Sequence, residues 1–185
     1  MEIAKQRAEV FGVADKITFH VGDAERLSTY IAPENYDLIY SFGVIHHSPN
    51  PENILKELRH YCGDDTTLKL MVYNRWSWKA FWIMMTYGRF QFWKWDDLVR
   101  EYSEAQSGSP VTYTYTPTEI RRLLGKYGFA PDDIHVDHIF PYQIPEYVKY
   151  QYVKEWYFRY LPESVFHWLE RRIGWHLLVT ARWMK

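Results

Sequence analysis

Two adjacent histidines, His46 and His47, are the side chains of this 185-residue sequence with the most obvious capacity for chemistry. They follow an apolar segment at 36–41, and a neutral imidazole beyond the end of a strand can take a proton from a hydroxyl or an amine. The structural alternative is that one histidine packs under a sheet and the other caps the helix that begins near Asn50. A metal site is disfavoured, because adjacent side chains rarely point at one ion and no third ligand stands at helical spacing.

Three more short groups stand where predicted strands end, and they read Gly22-Asp23-Ala24, Ser41-Phe42-Gly43 and Tyr73-Asn74-Arg75. Ligands of an open parallel sheet bind beyond the carboxyl ends of its strands, so these groups are candidate binding residues. Gly43 allows a ligand to approach the backbone closely. Arg75 is suited to a substrate carboxylate or phosphate, and equally to a surface salt bridge. Together with Tyr73 and Asn74 it is a candidate for the lining of a substrate pocket.

The pattern around these residues predicts an α/β fold. It comprises a helix at 2–11 that stops at Gly12, strands at 17–21, 36–41 and 67–73, a helix after Asn50-Pro51 and a turn at 63–65. This order indicates a parallel sheet with right-handed crossovers. Segment 36–41 is almost continuously apolar, which is typical of a strand covered on both faces.

The carboxyl-terminal half mixes regular elements with aromatic stretches. A T-x-x-E capping box at Thr116 predicts a helix that ends at Gly128, and strands are predicted at 134–140 and 175–182. The polar-aromatic stretch 141–173 reads as a helical insertion of one or two helices, broken at Pro162. All of it is interpreted as part of a single domain over residues 1–185.

Segment 75–112 is interpreted as an aromatic-rich insertion or lid. Nine of the twenty residues from Trp76 to Trp95 are aromatic, and the charged residues before Asp96 are all basic. These aromatics could cover an apolar substrate, lie in a membrane surface as a peripheral contact, or form the core of a helical subdomain with 141–173.

Composition excludes several classes of protein. Because 22 basic residues balance 23 acidic ones, a protein that mainly binds nucleic acid is disfavoured. The single cysteine, Cys62, excludes an internal disulfide framework and a cysteine-based zinc cluster and fits a reducing compartment, so a cytoplasmic location is expected. The longest apolar run without charge, 80–88, is too short for a membrane span, which needs about 20 residues.

The succession ITFHVGDAERL, YDLIYSFGVIHHSPNPENILKELRHY and TTLKLMVYN resembles the middle of a class I S-adenosylmethionine-dependent methyltransferase of the broad type 11 group. The later pieces YTPTEIRRLLGKYGF and GWHLLVTAR are similar to that family's last helix and closing antiparallel strands. The resemblance implies a Rossmann-like, mostly parallel sheet with helices on both faces. It also implies methyl transfer to a small-molecule or lipid acceptor, with S-adenosylmethionine as cofactor.

The same resemblance implies roles for individual residues. Asp23 would accept a hydrogen bond from the adenine amino group with the Ala24 backbone beside it, and Ser41-Phe42-Gly43 would lie along the methionine end of the cofactor. For Asp23 the alternative is an ordinary turn aspartate. Few catalytic side chains are obligatory, because the sulfonium is already an activated methyl donor.

The sequence departs from the family in one respect. No G-x-G occurs, so the Gly-rich cofactor loop is missing and the domain is expected to be truncated at its N-terminal side. A nicotinamide enzyme would need the same loop and is the weakest interpretation. Unpaired sheet edges are then expected, which favour self-association. The alternative to an enzyme is a non-catalytic module or truncated fragment that needs a partner chain to complete the cofactor site.

Overall fold

A computed structural model describes residues 1–89, 91–103 and 111–184 of the chain. The strands are β1 (Tyr36–Phe42), β2 (Cys62–Asn74), β3 (Thr114–Tyr115), β4 (Phe129–Asp137) and β5 (His176–Trp183). The helices are α1 (Glu2–Val10), α2 (Pro51–Leu58), α3 (Trp78–Tyr87), α4 (Trp95–Ser103), α5 (Pro117–Lys126), α6 (Ile144–Tyr147), α7 (Trp156–Arg159) and α8 (Glu163–Ile173). The five strands form one sheet flanked by helices, which confirms the predicted fold class.

Strand β2 is the centre of this sheet. It pairs in parallel with β1 along one side and antiparallel with β5 along the other, and β4 follows antiparallel beyond β5. The short strand β3 pairs in parallel with the last two residues of β2. The carboxyl ends of β1 and β2 therefore lie at the same edge of the sheet, next to the amino end of β5.

Two helices cover one face of the sheet. Residues Leu68, Leu70 and Val72 of β2 point to this face and are almost fully buried. Helix α2 contributes an apolar stripe, as its spacing predicted, and α5 contributes a second one. A smaller cluster of Ala80, Val99 and Trp175 packs α3 against α4.

The helix α5 begins at the capping box that the sequence predicted. The Thr116 hydroxyl accepts a hydrogen bond from the Glu119 backbone N–H, and a Glu119 carboxylate oxygen accepts one from the Thr116 N–H. The other Glu119 oxygen accepts from Arg75, which follows β2. The cap thus joins the start of α5 to the carboxyl end of the central strand.

Strand β1 is covered on one face only, so the expectation of a strand covered on both faces was wrong. Ile39 and Ser41 turn toward the core, but Leu38 is 52% exposed and Tyr40 61% exposed. The reason is that no described element packs over the face that carries Leu38 and Tyr40. Within the described parts of the chain β2 is also the only strand beside β1, so β1 is an edge strand as well.

The predicted strand at 17–21 does not form, although its residues alternate as a strand requires. No other described segment pairs with it, and an unpaired segment cannot satisfy its backbone groups as a strand. The predicted turn at 63–65 was also wrong. These residues belong to β2 and form an irregularity of its pairing with β1, where the register shifts between Tyr36 and Leu38.

The fourth strand and the segment after it also differ from prediction. Strand β4 runs from Phe129 to Asp137 instead of 134–140, because His138 takes a left-handed backbone conformation with φ of 67° and ends the strand. Residues 141–173 form three short helices, and Pro162 is the residue that begins the last of them. Residues 90 and 104–110 of the predicted insertion lie outside the described residues.

In residues 1–89, 91–103 and 111–184, every helix is too short or too polar to cross a lipid bilayer.

Replacing Thr116 by Ala should lower the free energy of unfolding by about 1 kcal/mol, because the start of α5 loses its side-chain cap. Chemical denaturation followed by far-ultraviolet circular dichroism measures this value. The matched control is Thr118→Ala, two residues along the same helix and exposed, which should change the value by less than about 0.5 kcal/mol. Equal effects of the two substitutions would contradict the capping role.

The exposed edge strand should make the chain associate with itself. Light scattering after size exclusion should give a mass above that of one chain, and this mass should rise with protein concentration. Leu38→Lys combined with Tyr40→Lys should restore the monomer, because charge on an edge strand opposes pairing. Tyr150→Lys, on a still more exposed side chain of another segment, should leave the mass unchanged. A wild-type monomer at every concentration would contradict the prediction.

Candidate active site

The turn that follows β1 places two candidate groups at the carboxyl edge of the sheet. Gly43 has a φ of 73°, a conformation that other residues adopt only with strain, and its N–H donates to the Met71 carbonyl oxygen at 3.2 Å. The chain then enters a 3-10 turn, Ile45–His47, that carries both predicted histidines. Ser41 and Phe42 are the last residues of β1, and the Phe42 ring stacks on Tyr40 at 5.1 Å.

His46 is fully buried, with 0% of its surface exposed. Neither ring nitrogen has a hydrogen-bond partner among the described residues. Its ring lies 4.0 Å from the Tyr73 ring and 4.2 Å from the His47 ring, between centroids. Burial, together with the neighbouring His47 and His176, lowers the pKa of His46 to about 3, so His46 is neutral at physiological pH.

His47 is held in one orientation by the chain segment before β3. Its Nδ1 lies 3.1 Å from the Val111 carbonyl oxygen and 3.3 Å from the Thr112 hydroxyl. Because a carbonyl oxygen only accepts hydrogen bonds, Nδ1 is the nitrogen that carries the proton in this contact. This contact, and not the cap of α2, is what positions His47.

Tyr73, at the end of β2, is the ring on which the site is assembled. Besides the His46 contact, its ring lies 4.2 Å from Trp175 and 6.4 Å from His176, and His176 stacks on His138 at 4.5 Å. Four of the eight histidines of the sequence are thus gathered around one tyrosine. The pairing of β2 with β5 and of β5 with β4 brings them together.

Next to Tyr73 the structure contains a cavity of about 530 Å³, a volume suited to a small organic ligand. Of the fifteen described residues that line it, eight are Phe, Trp or Tyr and two are His138 and His176. They come from α3, the segment after β4, the short helices α6 and α7 and the start of β5. Burial lowers the pKa of His176 to about 4.

His138 and His176 were not among the residues predicted from the sequence. The available signal was weak: His176 stands near the start of the last predicted strand, and an antiparallel strand beginning there must lie beside the carboxyl end of its neighbour. Nothing in the sequence marked His138 as a site residue. The alternating pattern placed it inside a predicted strand, whereas β4 ends at Asp137, one residue before it.

Asp23 reaches this edge of the sheet through its neighbour Glu25. One Asp23 oxygen accepts a hydrogen bond from the Glu25 N–H at 2.9 Å, and the other lies 3.4 Å from the Arg26 guanidinium. The Glu25 carboxylate accepts from the Ser48 hydroxyl and from the Asn50 N–H, in the loop after His47. The Ser48 hydrogen bond is the main cause that lowers the pKa of Glu25.

The remaining candidates differ in their surroundings. Ala24 packs partly against the main core. Of the three candidates at the end of β2, Tyr73 lines the cavity. Asn74 is buried, and its amide donates to the Gly174 carbonyl oxygen at 2.9 Å. Arg75 forms ion pairs with Glu119 at 2.8 Å and Asp96 at 3.1 Å. Roles for Asn74 and Arg75 toward a substrate therefore stay predictions.

The described residues contain no group of three or more histidine, cysteine or carboxylate side chains arranged to hold a metal ion.

Replacing His46 by Leu should make the protein less sensitive to acid. The unfolded chain takes up a proton on this histidine near its ordinary pKa of 6.5, whereas the folded chain does so only near pH 3. Protonation therefore favours the unfolded chain, and the free energy of unfolding falls as the pH drops below 6.5. Between pH 7 and pH 4 this residue should cost about 3 kcal/mol, which His46→Leu should remove.

Denaturant unfolding at several pH values measures this effect. His60→Leu is the control, because His60 is exposed in the turn after α2. An unchanged pH dependence in His46→Leu would show that the imidazole is not held neutral.

Several solved structures with the same fold are described as methyltransferases. A chain of the complex between the Haloferax volcanii Trm112 methyltransferase activator and a protein described as a methyltransferase has a TM-score of 0.59 at 14% identity, over 97% of this chain and 67% of that one. The mitomycin 7-O-methyltransferase MmcR has a TM-score of 0.54 at 14% identity, over 98% and 38%. The Burkholderia thailandensis 1,6-didemethyltoxoflavin-N1-methyltransferase, solved with 1,6-didemethyltoxoflavin and S-adenosylhomocysteine, has a TM-score of 0.52 at 14% identity, over 97% and 56%.

This chain therefore spans between 38% and 67% of the length of these three structures. The search of curated proteins gave no significant match. The model of the family described as "Methyltransferase domain" matches residues 2–134, which is well over half of the chain. The matched range includes Asp23, Gly43, His46, His47 and Tyr73. The chain belongs to this methyltransferase domain family.

Proposed function

We propose that this chain takes part in S-adenosylmethionine-dependent methyl transfer to a small-molecule or lipid acceptor. The observation that supports this most is the meeting of three features at one edge of the sheet. These are the Gly43 turn, the neutral His46 and His176 beside Tyr73, and an aromatic cavity large enough for an acceptor. Ligands of such sheets bind at this edge.

The cofactor is proposed to contact two turns, the one at the end of β1 and the one at Asp23 and Ala24. Ser41, Phe42 and Gly43 would lie along its methionine side, where the positive φ of Gly43 leaves the backbone accessible. Asp23 would accept from the adenine amino group with Ala24 beside it. A carboxylate has lone pairs for this bond in addition to the one that caps the following turn. When bound, the cofactor supplies a methyl group already activated on a sulfonium.

The fit of the chain to this cofactor is partial. The Asp23 and Gly43 turns are tied to the same edge of the sheet through Glu25 and the loop at 48–50. The sequence contains no G-x-G, so these residues account for one side of the cofactor only. Binding by these residues alone should therefore be weaker than binding to a complete site.

The acceptor is proposed to lose its proton to His47. The hydrogen bond from Nδ1 to the Val111 carbonyl leaves the Nε2 lone pair as the basic atom. His46 is fully enclosed, and its neutral ring packs between His47 and Tyr73. A role for His46 as the base would require the rings around it to move. The aromatic lining of the cavity would keep water from the reacting groups.

A second candidate is a module that becomes competent only with a partner chain. Two observations favour it: the outer edge of β1 has no neighbour among the described strands, and most of residues 1–35 are exposed. The Haloferax volcanii structure contains an activator protein. A partner strand on β1 would cover the apolar face that Leu38 and Tyr40 expose.

Replacing Asp23 by Asn separates the cofactor role from the cap. Asparagine still caps the turn, so stability should be unchanged, but it presents an N–H donor where adenine also donates. Titration calorimetry with S-adenosylhomocysteine should show affinity weakened about tenfold, the usual effect of losing a hydrogen bond to a charged group.

The control is Asp15→Asn, an exposed aspartate in the turn after α1, which should leave the affinity unchanged. Equal affinities of Asp23→Asn and the wild type would contradict the adenine contact. No heat from the wild type at any concentration would contradict the proposed function on this chain alone and favour the second candidate.

A further inference from the structure

The walls of the cavity beside Tyr73 are chemically unusual. Eight of its fifteen described lining residues are aromatic, whereas only three are aliphatic: Ile139, Val148 and Ile173. Trp78 and Trp82 of α3 form one wall with Tyr157, with ring centroids about 6 Å apart. Phe140, Tyr142 and Tyr147 form another wall, in edge-to-face and stacked contacts.

These walls favour one class of occupant over two others. An acyl chain is flexible and gains little from flat π faces, and the aliphatic lining here is sparse. A cationic ligand would compete with Lys79, whose Nζ already lies 4.7 Å from the Trp175 ring centroid and 5.9 Å from that of Tyr73. A flat aromatic ring can pack against these walls in the offset or edge-on arrangements that aromatic pairs prefer.

The polar groups on the cavity surface point to the substituent of that ring. His138 and His176 stack at 4.5 Å with only 14° between their planes, and both rings line the cavity. Burial keeps His176 neutral, so its ring offers an acceptor lone pair. His138 is held there by a left-handed backbone, a conformation that non-glycine residues adopt at a cost and that clusters at functional sites.

We propose that this cavity binds a flat aromatic ring that bears a hydroxyl group, with the hydroxyl donating a hydrogen bond to the His138–His176 pair. The ring packs between the wall of α3 and the wall that follows β4. The inference rests on the proposed function, because it names the class of methyl acceptor for that site. The hydroxyl held by this pair anchors the ring and is a different group from the one that gives its proton to His47. His176 and His138 recognise the acceptor, and Tyr73 connects them to the histidines beyond β1.

The test uses three probes with the full chain and no cofactor present. They are 2-naphthol, 2-methoxynaphthalene and 1-decanol, which offer a ring with a donor, the same ring without a donor, and a hydroxyl on an aliphatic chain. Quenching of tryptophan fluorescence, checked by titration calorimetry, measures each affinity. The expected order has 2-naphthol binding about fivefold more tightly than 2-methoxynaphthalene, the value of one neutral hydrogen bond, and 1-decanol binding weakest.

Two pairs of variants assign the affinity to the cavity. His176→Phe keeps a ring in the wall but removes the acceptor, so it should abolish the difference between the two naphthalene probes, whereas the exposed-site control His60→Phe should preserve it. Trp82→Ala should weaken both naphthalene probes, whereas Trp93→Ala should not. Trp82 lines the cavity and is 49% exposed, and Trp93 lies outside the lining and is 79% exposed. Because both side chains are largely exposed, neither alanine substitution should disturb the folded core.

Several outcomes would overturn the inference. They are equal binding of the two naphthalene probes to the wild type, binding of 1-decanol as tight as that of 2-naphthol, and an undiminished preference for 2-naphthol in His176→Phe. The last variant's folding is checked by its thermal midpoint. S-adenosylhomocysteine is titrated separately, so a chain that binds 2-naphthol but no cofactor contradicts only the proposed function. A chain that binds the cofactor but no naphthalene contradicts only this inference.

Discussion

The pairing of β2 with three other strands is the constraint on which the rest of the structure depends. Its inward residues Leu68, Leu70 and Val72 are buried under α2 and α5, so the strand cannot slip without exposing them. Side chains alternate along a strand, and the residue that follows Val72 therefore turns to the opposite face. That residue is Tyr73. The burial of one face of β2 thus fixes the ring around which the candidate site is built.

The amino-terminal residues depend on polar contacts more than on packing. Most of residues 1–35 are exposed, and two carboxylates are prominent among the described contacts that hold them, beside the Tyr61 hydroxyl, which donates to the Ile31 carbonyl oxygen at 2.7 Å. Glu25 accepts hydrogen bonds from the loop at 48–50, and Glu57 of α2 accepts one from the Ser28 N–H at 2.7 Å. The placement of Asp23 therefore follows from hydrogen bonds at the surface, and a sheet partner of β1 would add the packing that this segment lacks among the described residues.

The aromatic excess of the sequence is divided between two purposes. Trp175 and Trp95 pack with Ala80 and Val99 in the small second core, while Trp78 and Trp82 line the cavity. The α3 helix serves both, because one of its faces meets α4 and another meets Tyr157. The sequence left open whether these aromatic rings form a core or cover a substrate. In α3 some residues pack in the second core and others line the cavity, and the face of the helix decides which.

The sequence by itself determined the elements whose signals are local. The capping box at Thr116, Pro51 at the first position of α2 and the glycines that end α1 and α5 each act within a few residues, and the α/β class followed from their order. The histidines after β1 were also located in this way, since a strand end is a local property.

Only the tertiary structure decided what depends on distant partners. Segment 17–21 alternates like a strand but has nothing to pair with, and β1 is exposed on one face, because strand formation and coverage are properties of neighbours. The cavity and the His138–His176 pair arise for the same reason. They exist because antiparallel pairing brings residues near 138 and 176 beside Tyr73 at the end of β2, from 65 and 103 positions away in the chain.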